Sequence, residues 1–152
     1  MTFSIVGHCP KTDMVGVAIT TSSICVGSRC PHVLAGAGAV TTQNITDPSI
    51  GPEVLAQLAA GATADTALAA VMADRPHSDY RQVALVDLAG NVAHFTGDNI
   101  LGTNAVATGV GCIAAGNLLA SEAVPTAMVT SFAAGAGLHL PERLLTALQV
   151  GI

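Results

Sequence analysis

The chain opens with two runs whose residues favour extended backbone, divided by one polar turn. Thr2-Phe3-Ser4-Ile5-Val6-Gly7-His8 is rich in branched and aromatic side chains. Cys-Pro-Lys-Thr-Asp follows, a turn built on Pro10 and Asp13, and then Met14–Thr21 resumes the β-type pattern. So short a connection predicts an antiparallel hairpin. Gly36–Gln43 reads as a third strand, its glycines marking close backbone approach.

The period then changes. Pro52-Glu53 opens a helical run carrying Val54, Leu55 and Leu58 and stopped by Gly61. Thr63 is placed to cap a second run with Leu68, Val71 and Met72 on one face, ending before Pro76. Strands return at Gln82–Leu88 and Val92–Thr96 around Ala89-Gly90-Asn91, and again at Gly109–Ala115. Ser121 heads a helix with Val124, Met128, Val129 and Phe132, and Pro141 opens a last one with Leu144, Leu145 and Leu148. Strand pairs and helix pairs in alternation predict a layered α+β domain rather than a doubly wound βαβ sheet. With no tandem repeat and no linker, residues 1–152 read as one domain.

Composition narrows the classes of function. Hydrophobic residues make up 51% and charged residues 10%, against about 25% charged in an ordinary globular chain. So few charges cover a free globule poorly, which leads us to expect self-association. Five Lys+Arg against ten Asp+Glu, scattered along the chain, give no electrostatic footprint for nucleic acid and none for an acidic membrane surface. Four aromatics (Phe3, Tyr80, Phe95 and Phe132) provide no stacking platform for bases. No apolar run is long enough to span a bilayer and no signal-peptide pattern opens the chain, so a cytoplasmic location is expected. In that compartment Cys9, Cys25, Cys30 and Cys112 are expected as free thiols.

Most catalytic motifs fail. The chain has no phosphate-loop lysine motif, no Gly-x-Ser-x-Gly elbow and no His-Glu-x-x-His helix. Gly109-Val110-Gly111 lacks the rest of a dinucleotide fingerprint. His8-Cys9 and Cys25/Cys30/His32 do not have a standard zinc spacing, so neither metal nor cofactor is expected. Cys30 with His32, or Cys9, keeps a Cys-dependent hydrolase open as a third reading. The N-terminus offers a different opportunity. Were Met1 removed, Thr2 would carry a hydroxyl beside a free α-amine of pKa about 8, able to serve as base for its own nucleophile.

The pieces Thr2–Val6, Val15–Ala18, Val26-Gly27, Gly36–Gln43, Gly51-Pro52, Leu58–Gly61, Arg81–Val83, Thr96-Gly97, Gly116-Asn117 and Glu142–Leu145 occur in order along the chain. Together they resemble the DUF1028 family, whose biochemical role is uncertain and which is placed with the N-terminal-nucleophile (Ntn) hydrolases. The resemblance implies a four-layer αββα sandwich and a hydrolase of a small-molecule amide. Thr2 matches the nucleophile position, Gln43 and Asn117 become oxyanion donors or orienters of the amine, and Asp98 a charge partner for it. Thr20, Ser22, Arg29 and Asn44, with Thr42, become substrate contacts, suited to a small polar molecule.

Three departures set the alternative. Ser22 stands where many relatives carry a basic residue, with Arg29 a substitute cation. The sequence ends at Gln149-Val150-Gly151-Ile152, where relatives continue through a Gly-Gly-Asp stretch into further strands, so a further segment or a second chain is expected to complete the sandwich. With Met1 in place Thr2 has no free amine. The alternative is an Ntn-like fold used for binding or assembly without catalysis.

Overall fold

The computed structural model describes residues 1–152. Its strands are β1 (Thr2–Cys9), β2 (Met14–Thr21), β3 (Pro31–Leu34), β4 (Gly38–Asn44), β5 (Arg81–Asp87), β6 (Val92–Thr96), β7 (Ala105–Gly109) and β8 (Cys112–Asn117). Its helices are α1 (Ile50–Ala59), α2 (Ala64–Met72), α3 (Ala123–Ala134) and α4 (Leu140–Val150). Every strand pairing is antiparallel, in two sheets of order β2-β1-β8-β7 and β3-β4-β5-β6. The fold is α+β.

The period-2 alternation of each strand determines what lies on either side of it. On the first sheet Phe3, Ile5, Cys112 and Ala114 meet Met128, Phe132, Leu140 and Leu144 of α3 and α4. On the second, Val40, Val83 and Leu85 meet Val54, Leu55, Leu58, Leu68 and Met72 of α1 and α2. The opposite faces of the two sheets close on one another through Val6, Ala39, Ala84, Val86, Ile113 and Ala115. The layers therefore run helices, sheet, sheet, helices, with three apolar seams between them. The middle seam is built of Ala, Val and Ile side chains, with no aromatic ring among them. Gly7 lets the outer seam close, since a Cβ there would lie 2.7 Å from Phe132 Cε2 and Cζ.

Local chemistry accounts for several boundaries. The Thr63 hydroxyl accepts from Thr66 N–H at 3.3 Å, capping α2. Ser121 Oγ accepts from Ala123 N–H at 3.2 Å where α3 begins, and Pro141 sits in the first turn of α4.

The elements differ from the sequence reading in three places. The expected strand at 36–43 begins at Gly38, because Gly36 (φ 79°) turns the chain back from β3, a short edge strand the pattern did not reveal. The single strand expected at 109–115 is a hairpin. Gly111 (φ 66°) reverses the chain between β7 and β8, a left-handed backbone that glycine adopts without strain. Finally, α1 starts at Ile50, two residues before Pro52. No helix is long and apolar enough to cross a membrane.

Candidate functional site

The face of β1 that looks between the sheets carries Thr2, Ser4, Val6 and His8, because these share parity with the middle seam. Val6 supplies the apolar centre and the polar residues fall toward the two ends. Register brings further polar groups to the Thr2 end. Thr2 lies opposite Thr21 on one side and Asn117 on the other, and Gln43 lies opposite Gln82 in the facing sheet.

Ser4, Thr41, Gln43, Gln82 and Asn117 are all buried. They satisfy one another, and the orientation of the amides follows from a single obligate acceptor. Gln82 Nε2 donates to the Gly116 carbonyl at 3.2 Å. Its Oε1 is therefore the acceptor, taking Gln43 Nε2 at 2.8 Å and Asn117 Nδ2 at 3.3 Å. Gln43 Oε1 then accepts the Ser4 hydroxyl at 2.8 Å. The result spans both sheets in the dry interior, where an unmatched polar group costs about 1–3 kcal/mol.

In front of this network lies a small cavity of about 50 Å³, lined by Thr2, Thr21, Ser23, Val26, Arg29, Cys30, Gln43, Asn44 and Thr46. Thr2 Oγ1 and Thr21 Oγ1 are 2.8 Å apart and hydrogen-bonded, and Thr21 Oγ1 also accepts from Ser23 N–H at 3.2 Å. Arg29 is the one charged residue in the lining. Its Nη2 donates to Ser23 Oγ at 2.7 Å and to the Ile24 carbonyl at 3.3 Å, which holds the loop after β2 over the cavity. At about 30 Å³ per water in the liquid, the space takes one or two waters or a carbonyl group.

Of the residues singled out from sequence, Thr2, Gln43, Arg29 and Asn44 converge on this cavity, and Asn117 stands beside Thr2. Asn44 is committed elsewhere: its Nδ2 donates to the Tyr80 carbonyl at 2.7 Å and its Oδ1 accepts from Leu101 N–H at 3.2 Å. Three others lie apart. Thr20 is opposite Phe3 and shares the helix-facing side of the sheet. Ser22 is exposed and accepts from the Met1 amine at 3.3 Å. Asp98 is exposed in the turn after β6, outside the lining. The glycine of Thr-Gly-Asp has its own reason, since a Gly97 Cβ would collide with the Asp79 backbone. Thr42 bonds the Asp47 carbonyl at 3.4 Å.

Gln82, Ser4 and Thr21 were missed. Their parity on β5, β1 and β2 was a usable signal, for it places them on the faces that carry Ala84, Val6 and Thr2. Around the start of α1, Arg75 binds Asp47 at 3.1 Å and Glu53 at 2.7 Å. Burial raises the pKa of the Asp47 carboxyl, but the hydroxyl and backbone N–H of Ser49, with Arg75 and Arg81, outweigh it and hold the group below its ordinary value. Nowhere do three or more His, Cys, Asp or Glu side chains converge as metal ligands would.

Residues 2–152 match the model of DUF1028, described as a family of unknown function, and the chain belongs to that family. It is similar to the crystal structure of the DUF1028 protein SPO2555 from Silicibacter pomeroyi, with 36% identity over 99% of this chain and a TM-score of 0.94. The chain spans 66% of the length of that protein. No curated protein matches it.

Proposed function

We propose that the Thr2 end is the active site of an Ntn-type amidohydrolase acting on a small molecule, with the layers forming an Ntn-like αββα sandwich. The observation that carries the reading is the placement of Thr2 Oγ1. It lies at the mouth of a polar cavity, on the first residue of a central strand, bonded to another hydroxyl and flanked by buried amides.

The chemistry requires loss of Met1. The freed Thr2 amine then takes the proton from Oγ1 as the oxygen attacks the amide carbon. The tetrahedral oxyanion forms beside Gln43 and Asn117. Each holds one amide hydrogen on Gln82 Oε1 and keeps the second for the substrate, and Arg29 adds positive charge to the same cavity. Collapse breaks the C–N bond, the ammonium proton passes to the departing amine, and water hydrolyses the threonyl ester to the acid. Gln82 acts as a positioning residue for both donors. The cavity receives the scissile carbonyl, while the rest of the substrate lies outside it, near Ile24 and Ile45, whose neighbours line the cavity.

The test begins with intact-mass selection of protein lacking Met1. A panel of small amides is then screened with the native chain, Thr2→Ser and Thr2→Ala. The native protein is expected to turn over at least one amide and to show an acyl adduct on the Thr2 peptide, with Thr2→Ala inactive. Full turnover by Thr2→Ala, or activity confined to protein that keeps Met1, overturns the nucleophile.

A second reading, a binding or assembly module without catalysis, is favoured by one feature. Both polar atoms of Gln43 already have protein partners, and the cavity admits no whole substrate. Self-association belongs with that reading, and sedimentation of the purified chain tests it.

A further inference from the structure

The opposite end of the sandwich holds much more space. A cavity of about 540 Å³ lies where the end of β1 and its turn meet α3, α4 and the two turns that join β5 to β6 and β7 to β8. Its chemistry is uneven. Lys11 and Arg143, two of the five cations in a chain of net charge −5, both line it, and no Asp or Glu does. Neither has a carboxylate partner, since the ion pairs of the chain are those of Arg75. Arg143 is held in place by its Nε, which donates to the Phe132 carbonyl, and by the Phe132 ring, 3.7 Å from its guanidinium carbon. Its Nη groups make no hydrogen bond to the protein. The remaining walls include Ala133, Ala136 and Val110.

His8 ends the inter-sheet face of β1, is 5% exposed and lines the cavity, and its Nε2 is buried with no hydrogen-bond partner. That nitrogen is closed off from the cavity space, so the imidazole serves as wall rather than as a contact for a guest. Two unpaired cations and apolar walls describe one kind of guest.

We propose that this cavity is a binding site for a small organic carboxylate with a compact apolar body, distinct from the Thr2 site. The carboxylate pairs with the Arg143 guanidinium and Lys11 ammonium, and the apolar part lies against the alanines of α3 and the segment after it. A fully hydrated anion would meet the cations but leave those walls bare.

Cys9 supplies the readout, since it lines the cavity as a free thiol. The influence of the Thr12 hydroxyl, then of the Lys11 backbone, holds its pKa below the ordinary thiol value, which favours the reactive thiolate. Cys25, exposed on the loop after β2, is the internal reference. The native protein is alkylated with neutral iodoacetamide in the presence of benzoate, benzamide or inorganic phosphate, and both cysteines are followed by peptide mass spectrometry. Benzoate at several times its dissociation constant is expected to slow Cys9 about fivefold, as one-site occupancy requires, with Cys25 unchanged. Benzamide and phosphate are expected to leave both rates alone.

Lys11→Met, on an exposed turn, is expected to weaken the protection, and Arg143→Met to abolish it. Because Arg143 also packs on Phe132, the Lys11 variant keeps the test decisive if the Arg143 variant fails to fold. Equal protection by benzamide or phosphate, equal slowing of Cys25, or no protection by millimolar benzoate overturns the site.

Discussion

The two ends of β1 occupy the same layer of one sandwich and differ in how the fold treats polar groups. At the Thr2 end most side chains between the sheets are matched to one another, although Thr96 Oγ1, opposite Gln82, and the neighbouring Arg81 Nε have no partner. Four side chains and one carbonyl share a single network, and the space left in front of it is about 50 Å³. At the His8 end an imidazole nitrogen is left unmatched, two cations lack carboxylates, and about 540 Å³ stands open. Preorganised donors around a reacting group need a tight, satisfied surround. A binding pocket for a ready-made molecule needs volume and unspent charge. The same strand borders both regions, and Val6 on its inter-sheet face separates them.

The sharpest way to break this contrast is Gln82→Ala. It removes the acceptor shared by Gln43 and Asn117 and the amide that donates to the Gly116 carbonyl. A loss of about 3 kcal/mol is expected, read from the shift of the urea midpoint. A loss below about 1 kcal/mol would show that water replaces the glutamine and that this end is less closed than its geometry.

Asn44→Ala comes next. Asn44 sits at φ 72° and ties Tyr80 to Leu101. Its replacement strains the backbone and frees two loops beside the Thr2 cavity, for a loss of about 2 kcal/mol. Asn44→Gly relieves the strain but not the lost bonds, so it is expected to fall between the native chain and Asn44→Ala in thermal unfolding.

The smallest effect is electrostatic. The Asp47 carboxyl is held below its unfolded value of 3.8 in the folded chain. Its contribution is therefore present above that value and lost as the pH falls through the lower folded one. The stability gap between the native chain and Asp47→Asn is expected to be flat from neutral pH to about pH 5 and to shrink below pH 4, by under about 1 kcal/mol for a partly exposed pair. A gap that grows on acidification would reverse the assignment.

How far these regions were legible follows from particular residues. Branched runs and the Pro10–Asp13 turn announced the first hairpin, and Thr63 announced the start of α2. The edge strand β3 was not announced, because four residues that begin with proline and stay partly exposed carry no alternation. The β7–β8 hairpin was hidden because Gly109-Val110-Gly111 has no Asn or Asp, and only the left-handed backbone at Gly111 shows the reversal. At the site, the resemblance singled out Thr2, Gln43 and Asn117, and the structure places them near one another. It passed over Gln82, which joins two of them.

The sequence by itself determined the order and period of the elements, the scarcity of charge and the family, since each depends on neighbours along the chain. Which buried amide meets which acceptor was decided only in the tertiary structure. So were the loss of Thr20 to the helix side and the gathering of Lys11 and Arg143, from opposite ends of the chain, around one cavity. Period 2 tells each side chain its face. It takes the register between strands, and the packing of one sheet on another, to tell that face what it meets.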